Sequence, residues 1–207
     1  MPHRLLQHPL AQDTLARLRD ARTPPSAFRV AAHRIALLLI ADALADLPTD
    51  EQTVTTPLGP APARVLAGDV AIVPVLRAGL GMLEAALTLV PDARVGHIGL
   101  RRDEETARCS RYYARLPEGL TRSHVLLVDP MLATGGSAVA AIDLLKAAGA
   151  QSIRMACIVA APEGLACLDA AHPDVVVHTP AIDRELNDRK FIVPGLGDFG
   201  DRLYGTV

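Results

Sequence analysis

The stretch HVLLVDPMLATGGS, residues 124–137, decides the reading of this chain. Residues 125–128 are a short, uninterrupted apolar run of the kind buried on both faces of a parallel sheet. The run ends in an acid, Asp129, and continues through Pro130, Met131 and Leu132 into Ala133, Thr134, Gly135, Gly136 and Ser137. The paired glycines let the backbone turn tightly and present bare N–H groups. Residues 138–148 (AVAAIDLLKAA) have helix-forming composition and close on Gly149, so the turn sits at a helix N-terminus, where anions are favoured. This is a phosphate cradle beside a carboxylate.

The carboxylate narrows the ligand. Next to a bound phosphate it is repelled unless it faces hydroxyls or a cation, so Asp129 reads as a contact for ribose and Mg²⁺, and the ligand as a sugar phosphate. A Walker loop needs Gly-x-x-x-x-Gly-Lys followed by Ser or Thr; no lysine stands here, which argues against nucleoside triphosphate hydrolysis. The plainer alternative is an ordinary strand-to-helix turn with a Gly-Gly kink, and it leaves the acid and the Thr134/Ser137 pair without a purpose.

Working outward, strand-like runs recur at residues 70–75, 95–100, 153–159 and 175–177. Helical patterns at 80–90, 138–148 and 163–171 each follow a strand, which predicts βαβ units and an α/β fold with a parallel sheet flanked by helices. Ligands of such sheets collect beyond the carboxyl ends of the strands, so the loops 74–79, 101–106 and 129–137 should converge. The first carries Arg77, Ala78 and Gly79, where a diphosphate can approach the backbone with a guanidinium alongside. The second carries Arg101 and Arg102. The N-terminal third shows helical patterns at 11–20 and 27–47 and then a Pro-rich link at 57–62; it should pack on the sheet or against another copy. Residues 104–122 are long for a connection and contain Tyr112 and Tyr113, so they read as a mobile flap beside the site.

Composition bounds the rest. The 207 residues carry a formal net charge of −2 with 3% aromatic content, which offers neither a basic face nor stacking platforms for nucleic acid. Of the basic residues only Lys146 and Lys190 are lysines, which leaves phosphate recognition to arginine. Cys109, Cys157 and Cys167 include no C-x-x-C pair, and the seven histidines show no metal-ligand spacing, so no protein-only metal site and a reducing compartment are expected. The longest apolar stretch, residues 35–41, is far short of a membrane span. With no secretory signal in the first residues, the protein reads as cytoplasmic.

A second constellation lies at 194–202, PGLGDFGDR. Gly195, Gly197 and Gly200 satisfy G-x-G-x-x-G, yet only seven residues follow, too few for the helix, strand and acid of a dinucleotide site. A glycine-dense loop with Asp198 and Asp201 can instead offer backbone groups to a flat polar ligand such as a nucleobase; a solvated turn is the bland alternative.

Together these motifs resemble the uracil phosphoribosyltransferase family of the type I phosphoribosyltransferases, over nearly the whole chain. VDPMLATGGS is similar to that family's ribose-phosphate loop, including Pro130 where most of the wider superfamily carries a second acid. VPVLRAGLGM resembles its diphosphate loop, RRDEET with YYARLP its arm, and PGLGDFGDRLYGT its uracil loop. The resemblance implies a single domain, residues 1–207, with an N-terminal helical segment (1–60), a flexible arm (104–122) and a base-binding hood (180–207). It implies transfer of ribose 5-phosphate from 5-phosphoribosyl 1-diphosphate to N1 of uracil, giving UMP and diphosphate. Arg77, Ala78, Gly79 and Arg102 would meet the diphosphate, Asp129 the ribose, and residues 130–137 the 5-phosphate side. Ile192, Gly197 and Phe199 would meet uracil, and Asp198 would lie near Mg²⁺ carried by the donor. A GTP activator and a homo-oligomer, dimer or tetramer, are further implications.

Two positions depart from the family pattern. Phe199 stands where the uracil loop usually has alanine, and Arg108, Cys109 and Ser110 replace a Pro-containing stretch of the arm. With the base held by the Phe199 backbone N–H, the ring points away and selectivity for uracil survives. Two rival readings use the same fold: a pyrimidine-responsive regulator that binds RNA, which needs a basic surface, and a phosphoribosyltransferase for another base.

Overall fold

The structure, a computed structural model, describes residues 3–102 and 109–206, with the side chains of Arg102 and Cys109 outside the description. A short strand β1 (His3–Leu5) leads into helices α1 (Pro9–Arg19) and α2 (Pro25–Ala43), then strands β2 (Thr49–Thr56) and β3 (Gly59–Leu66). Next come β4 (Asp69–Leu76), α3 (Leu80–Leu89), β5 (Arg94–Val95), β6 (His97–Arg102) and β7 (Cys109–Arg115). They are followed by β8 (Ser123–Val128), β9 (Met131–Leu132), α4 (Gly136–Ala147), β10 (Ser152–Ala156) and β11 (Val159–Ala160). The last elements are α5 (Pro162–Ala171), β12 (Val176–Thr179), β13 (Glu185–Leu186), β14 (Ile192–Val193) and α6 (Phe199–Tyr204).

The eight-stranded central sheet runs β1-β12-β10-β8-β4-β6-β7, with β5 beside β4. Every pairing in it is parallel except β6 with β7. The uninterrupted apolar runs of β4 and β8 follow from this position: helices cover both faces, so successive side chains on either side are all buried. On one face α2 buries Phe28, Ala32, Ile35, Leu39 and Ala43, a stripe at helical spacing, together with α1 and α3. On the other, α4 and α5 bury Ala141, Ile142, Leu145 and Leu168.

Two expectations are corrected, and a strand appears within a third segment. The Pro-rich link is a hairpin, β2 antiparallel to β3, with Pro60 opposite Thr55 and Pro62 opposite Thr53. Pro60 and Pro62 lie two residues apart, so their missing N–H groups share one edge of a two-stranded ribbon and no ladder bond is lost. The helical part of the N-terminal segment therefore ends at Ala43. Within the segment 104–122, Cys109–Arg115 form strand β7, with Gly99 opposite Tyr113. Tyr112 lies over Gly99, where an added Cβ would come within 2.6 Å of its ring. Being an exposed edge strand it need not alternate, which hid it in the sequence. Finally, the run at 153–159 is broken at Cys157 and Ile158: the N–H groups of Ile158 and Val159 both donate to the Pro130 carbonyl, at 2.9 and 3.1 Å, and β11 continues beside β9.

Candidate active site

In the sheet register Pro74 stands opposite Val128, so the loops after β4 and β8 leave at the same edge. Asp129 is the first residue past β8. Its N–H donates to the Ala156 carbonyl at 3.2 Å, and its Oδ1 accepts from the Met131 N–H at 3.5 Å. Burial pushes its carboxyl from 3.8 up to about 7 against the small opposing effect of that N–H. The chain then turns at Gly135, whose φ of 84° suits glycine, and α4 starts at Gly136. Its leading N–H groups, which a helix leaves without i−4 partners, open onto the loop.

The loop after β4 is held close to this one. Gly79 lies against the end of β8, where an added Cβ would approach the Val128 carbonyl to 2.5 Å. Only glycine lets the two loops meet. The Leu76–Arg77 peptide is cis. The Arg77 side chain is exposed, its Nη2 3.5 Å from Asp201 Oδ1, and the Tyr204 hydroxyl donates to the Arg77 carbonyl at 3.4 Å. Arg102 closes β6, next to β4 in the sheet; its side chain and residues 103–106 lie outside the described residues, so that loop's share in the site is not described.

Residues 180–206 fold back toward these loops. Arg19 of α1 binds the buried Asp183 through both guanidinium nitrogens, at 2.6 and 2.8 Å, and donates to the Gly195 carbonyl at 2.8 Å. The Gly195 N–H returns a bond to Asp183 Oδ2 at 2.7 Å. Arg202 donates to the carbonyls of Leu196 and Asp20, each at 2.6 Å, and to that of Leu18, while its guanidinium lies 4.5 Å over the Phe28 ring. Asp198 caps α6, accepting from the Asp201 N–H at 2.9 Å. The Phe199 ring packs edge-on against Phe28 with centroids 5.2 Å apart and is fully buried. It occupies the core beneath the loop.

Two adjoining cavities result. The smaller, about 80 Å³, is lined by Asp129, Leu132, Thr134, Gly135 and Ser137 together with Met131 and Ala133. Met131 and Ala133 also line the larger, about 240 Å³, with Ala78, Ile192, Gly197, Asp198, Phe199 and Gly200. Pro130 is buried behind, its carbonyl taken by β11, and Arg77 stands outside both. A groove of about 660 Å³ between α1 and α2, around Thr14, Arg17 and Arg34, holds none of the site residues expected from the sequence.

Five contributing residues were not legible in the sequence. The pair Arg19 and Asp183 is 164 residues apart in the chain, and Arg202 was read only as part of a motif. Lys190 and Phe191 line the larger cavity; the scarcity of lysine points to arginine instead, and no motif marks either residue.

The comparisons agree with this geometry. The family model described as Uracil phosphoribosyltransferase matches residues 5–206. The uracil phosphoribosyltransferases of Dictyoglomus thermophilum and Thermus thermophilus are each 52% identical to this chain over 98% of both partners. A solved structure from Aquifex aeolicus superposes with a TM-score of 0.93 at 38% identity, covering 97% of each chain. The adenine phosphoribosyl transferase of Trypanosoma brucei shares the fold, with a TM-score of 0.58 at 14% identity over 89% of this chain and 84% of that one. From the turn after β8 to the glycine-dense loop before α6, this chain belongs to the uracil phosphoribosyltransferase family.

Proposed function

We propose that this enzyme transfers the ribose 5-phosphate group of 5-phosphoribosyl 1-diphosphate to N1 of uracil, forming UMP and diphosphate. The observation that carries the reading is the pair of adjoining cavities sharing Met131 and Ala133. One presents a helix N-terminus and a carboxylate to a sugar phosphate; the other presents glycine backbone to a flat base. As the bond from C1 of the sugar to diphosphate breaks and the bond to N1 forms, with the N1 proton passing to the departing diphosphate or to water, cationic character develops on the ribose. The protein must neutralise the leaving group and shield the cation. Arg77 and Arg102 would do the first, with Ala78 and Gly79 giving backbone access. Asp129 would hold the ribose hydroxyls, residues 133–137 the 5-phosphate, and the backbone of Ile192, Gly197 and Phe199 the base.

Magnesium suits the donor set. Asp129 and Asp198 are hard oxygen donors on neighbouring cavities, and Mg²⁺ is characteristically held by one or two carboxylates with substrate phosphates. Among the described residues no three His, Cys, Asp or Glu side chains cluster to hold an ion alone, so the donor would carry it. When bound, it neutralises charge on the departing diphosphate.

The relatives favour neither the RNA-binding regulator nor another base. No helix among the described residues is long and apolar enough to cross a membrane, and we take the cytoplasm as the place of work. The ribbon β2–β3 supports a homo-oligomer: β2 is exposed along nearly its whole length, β3 at every second residue, and Leu58 is fully exposed at its tip, and such a ribbon alone is marginal in water. The test is diphosphate release with Mg²⁺ and donor, offering uracil, cytosine, hypoxanthine, adenine or no base, with and without GTP. Turnover with uracil alone is expected. Turnover with another base would change the substrate, and silence throughout would refute the reading.

A further inference from the structure

Lys190 sits in a backbone conformation that its side chain disfavours. Its φ is 64°, the only positive value at a non-glycine among the described residues. The turn that produces it, closed by the Lys190 N–H donating to the Asn187 carbonyl at 2.8 Å, brings the lysine to the rim of the larger cavity. Strain of this kind persists where the surroundings require it, and it gathers at ligand clamps.

The charge around the two cavities shows what such a clamp would serve. They are lined by two carboxylates, Asp129 and Asp198, and by a single basic residue, Lys190, among the described residues. The cradle itself, residues 133–137, is neutral. A third acid, Glu163, stands in the first turn of α5, beside Gly164. Gly164 packs so tightly on the cradle that an added Cβ would lie 2.5 Å from the Ala133 carbonyl. Hydrogen bonds from the backbone N–H groups of Leu186 and of Glu163 itself, with the nearby Lys190 charge adding to them, hold the Glu163 carboxyl below its usual range. The Leu186 N–H, in the same hairpin as Lys190, reaches Glu163 Oε1 at 3.0 Å, which ties that hairpin to the helix turn on which the cradle rests. A phosphate monoester bound in the cradle would meet N–H groups, hydroxyls and acids, with one cation available.

We propose that Lys190 is the cationic partner of the 5-phosphate carried by the donor and by the product nucleotide. The inference rests on the reading of the cradle given above. It places a charge from the base-binding side onto the phosphate side, so the β13–β14 hairpin senses both ends of the nucleotide. The diphosphate, in this arrangement, belongs to the arginines.

Lys190→Gly removes the charge and substitutes a residue that takes positive φ freely, so the variant should melt no lower than the wild type. Losing one charge-assisted contact should raise the Kd for UMP and the KM for 5-phosphoribosyl 1-diphosphate about tenfold, while the KM for uracil and the inhibition constant of free diphosphate change by less than about twofold. Lys190→Arg should recover most of the UMP affinity. A weakened diphosphate constant with UMP binding unchanged would move the lysine to the leaving group and overturn the assignment. Equal losses for uracil and UMP would make it a base or loop residue and overturn it as well. A wild-type protein that binds no UMP would refute the reading of the cradle itself.

Discussion

Replacing Asp129 by asparagine should make the unliganded protein more stable and nearly inactive, with the stability gain controlled by pH. In the unfolded chain this carboxyl ionises near 3.8, and in the fold burial moves it to about 7. Below the lower value both states are protonated and the group contributes nothing. As pH rises between the two values the unfolded chain ionises first, so Asp129 progressively destabilises the fold; above the upper value the full cost is present. The gap, at about 1.4 kcal/mol per tenfold in proton affinity, caps that cost at about 4 kcal/mol. Asp129 is half-buried and reaches solvent, and screening reduces the figure to about 1–2 kcal/mol. Asparagine never ionises and keeps an oxygen for the Met131 N–H. For a domain of this size the variant should melt about 3–6 °C higher near pH 8 and equally with the wild type near pH 4. Differential scanning calorimetry across that range measures it. Adding donor with Mg²⁺ should reverse the order, because the carboxylate is stabilised once it faces hydroxyls and a cation, and turnover should fall by orders of magnitude. A gain that does not vary with pH, or none near pH 8, would refute the claim that an ionised Asp129 is costly in the empty fold.

Arg77→Ala should lower turnover by orders of magnitude and leave the melting temperature nearly unchanged, since the side chain is exposed and its ion pair with Asp201 spans 3.5 Å; an unfolded variant by circular dichroism would make the residue structural. Phe199→Ala removes a buried ring packed on Phe28 and should cost about 3–5 kcal/mol by urea titration. Uracil turnover by the folded variant should stay within about tenfold, because the base is assigned to backbone; a loss of several orders would show that the ring shapes the cavity. Arg19→Met strands the buried Asp183 carboxylate and should cost about 3–5 kcal/mol, and adding Asp183→Asn should restore part of it. If the double variant is no more stable than Arg19→Met, the pair is not coupled as described.

The parts of the fold legible in the sequence are those whose residues answer to one local rule. Residues 125–128 are apolar throughout because both faces of β8 are covered, and 138–148 follow helix composition up to Gly149. The loop between them declared itself through its glycines and its acid. The ribbon β2–β3 escaped because prolines are permitted on its free edge, and β7 escaped because a strand exposed on both faces has no pattern to show. The site was legible where chemistry sits in short motifs. The Arg19–Asp183 pair joins residues from opposite ends of the chain, and the positive φ of Lys190 is a backbone property that lysine does not advertise.

Arg202 has a consequence for how the protein is made. Its bonds to Leu18 and Asp20 close a loop spanning 182 residues or more, and Phe199 is the edge-on partner of the Phe28 ring. A nascent chain therefore carries α1 and α2 with an apolar surface uncovered until Phe199 and Arg202 have been made. Closure of the larger cavity is then a late event, and a chain truncated before Phe199 would be prone to association.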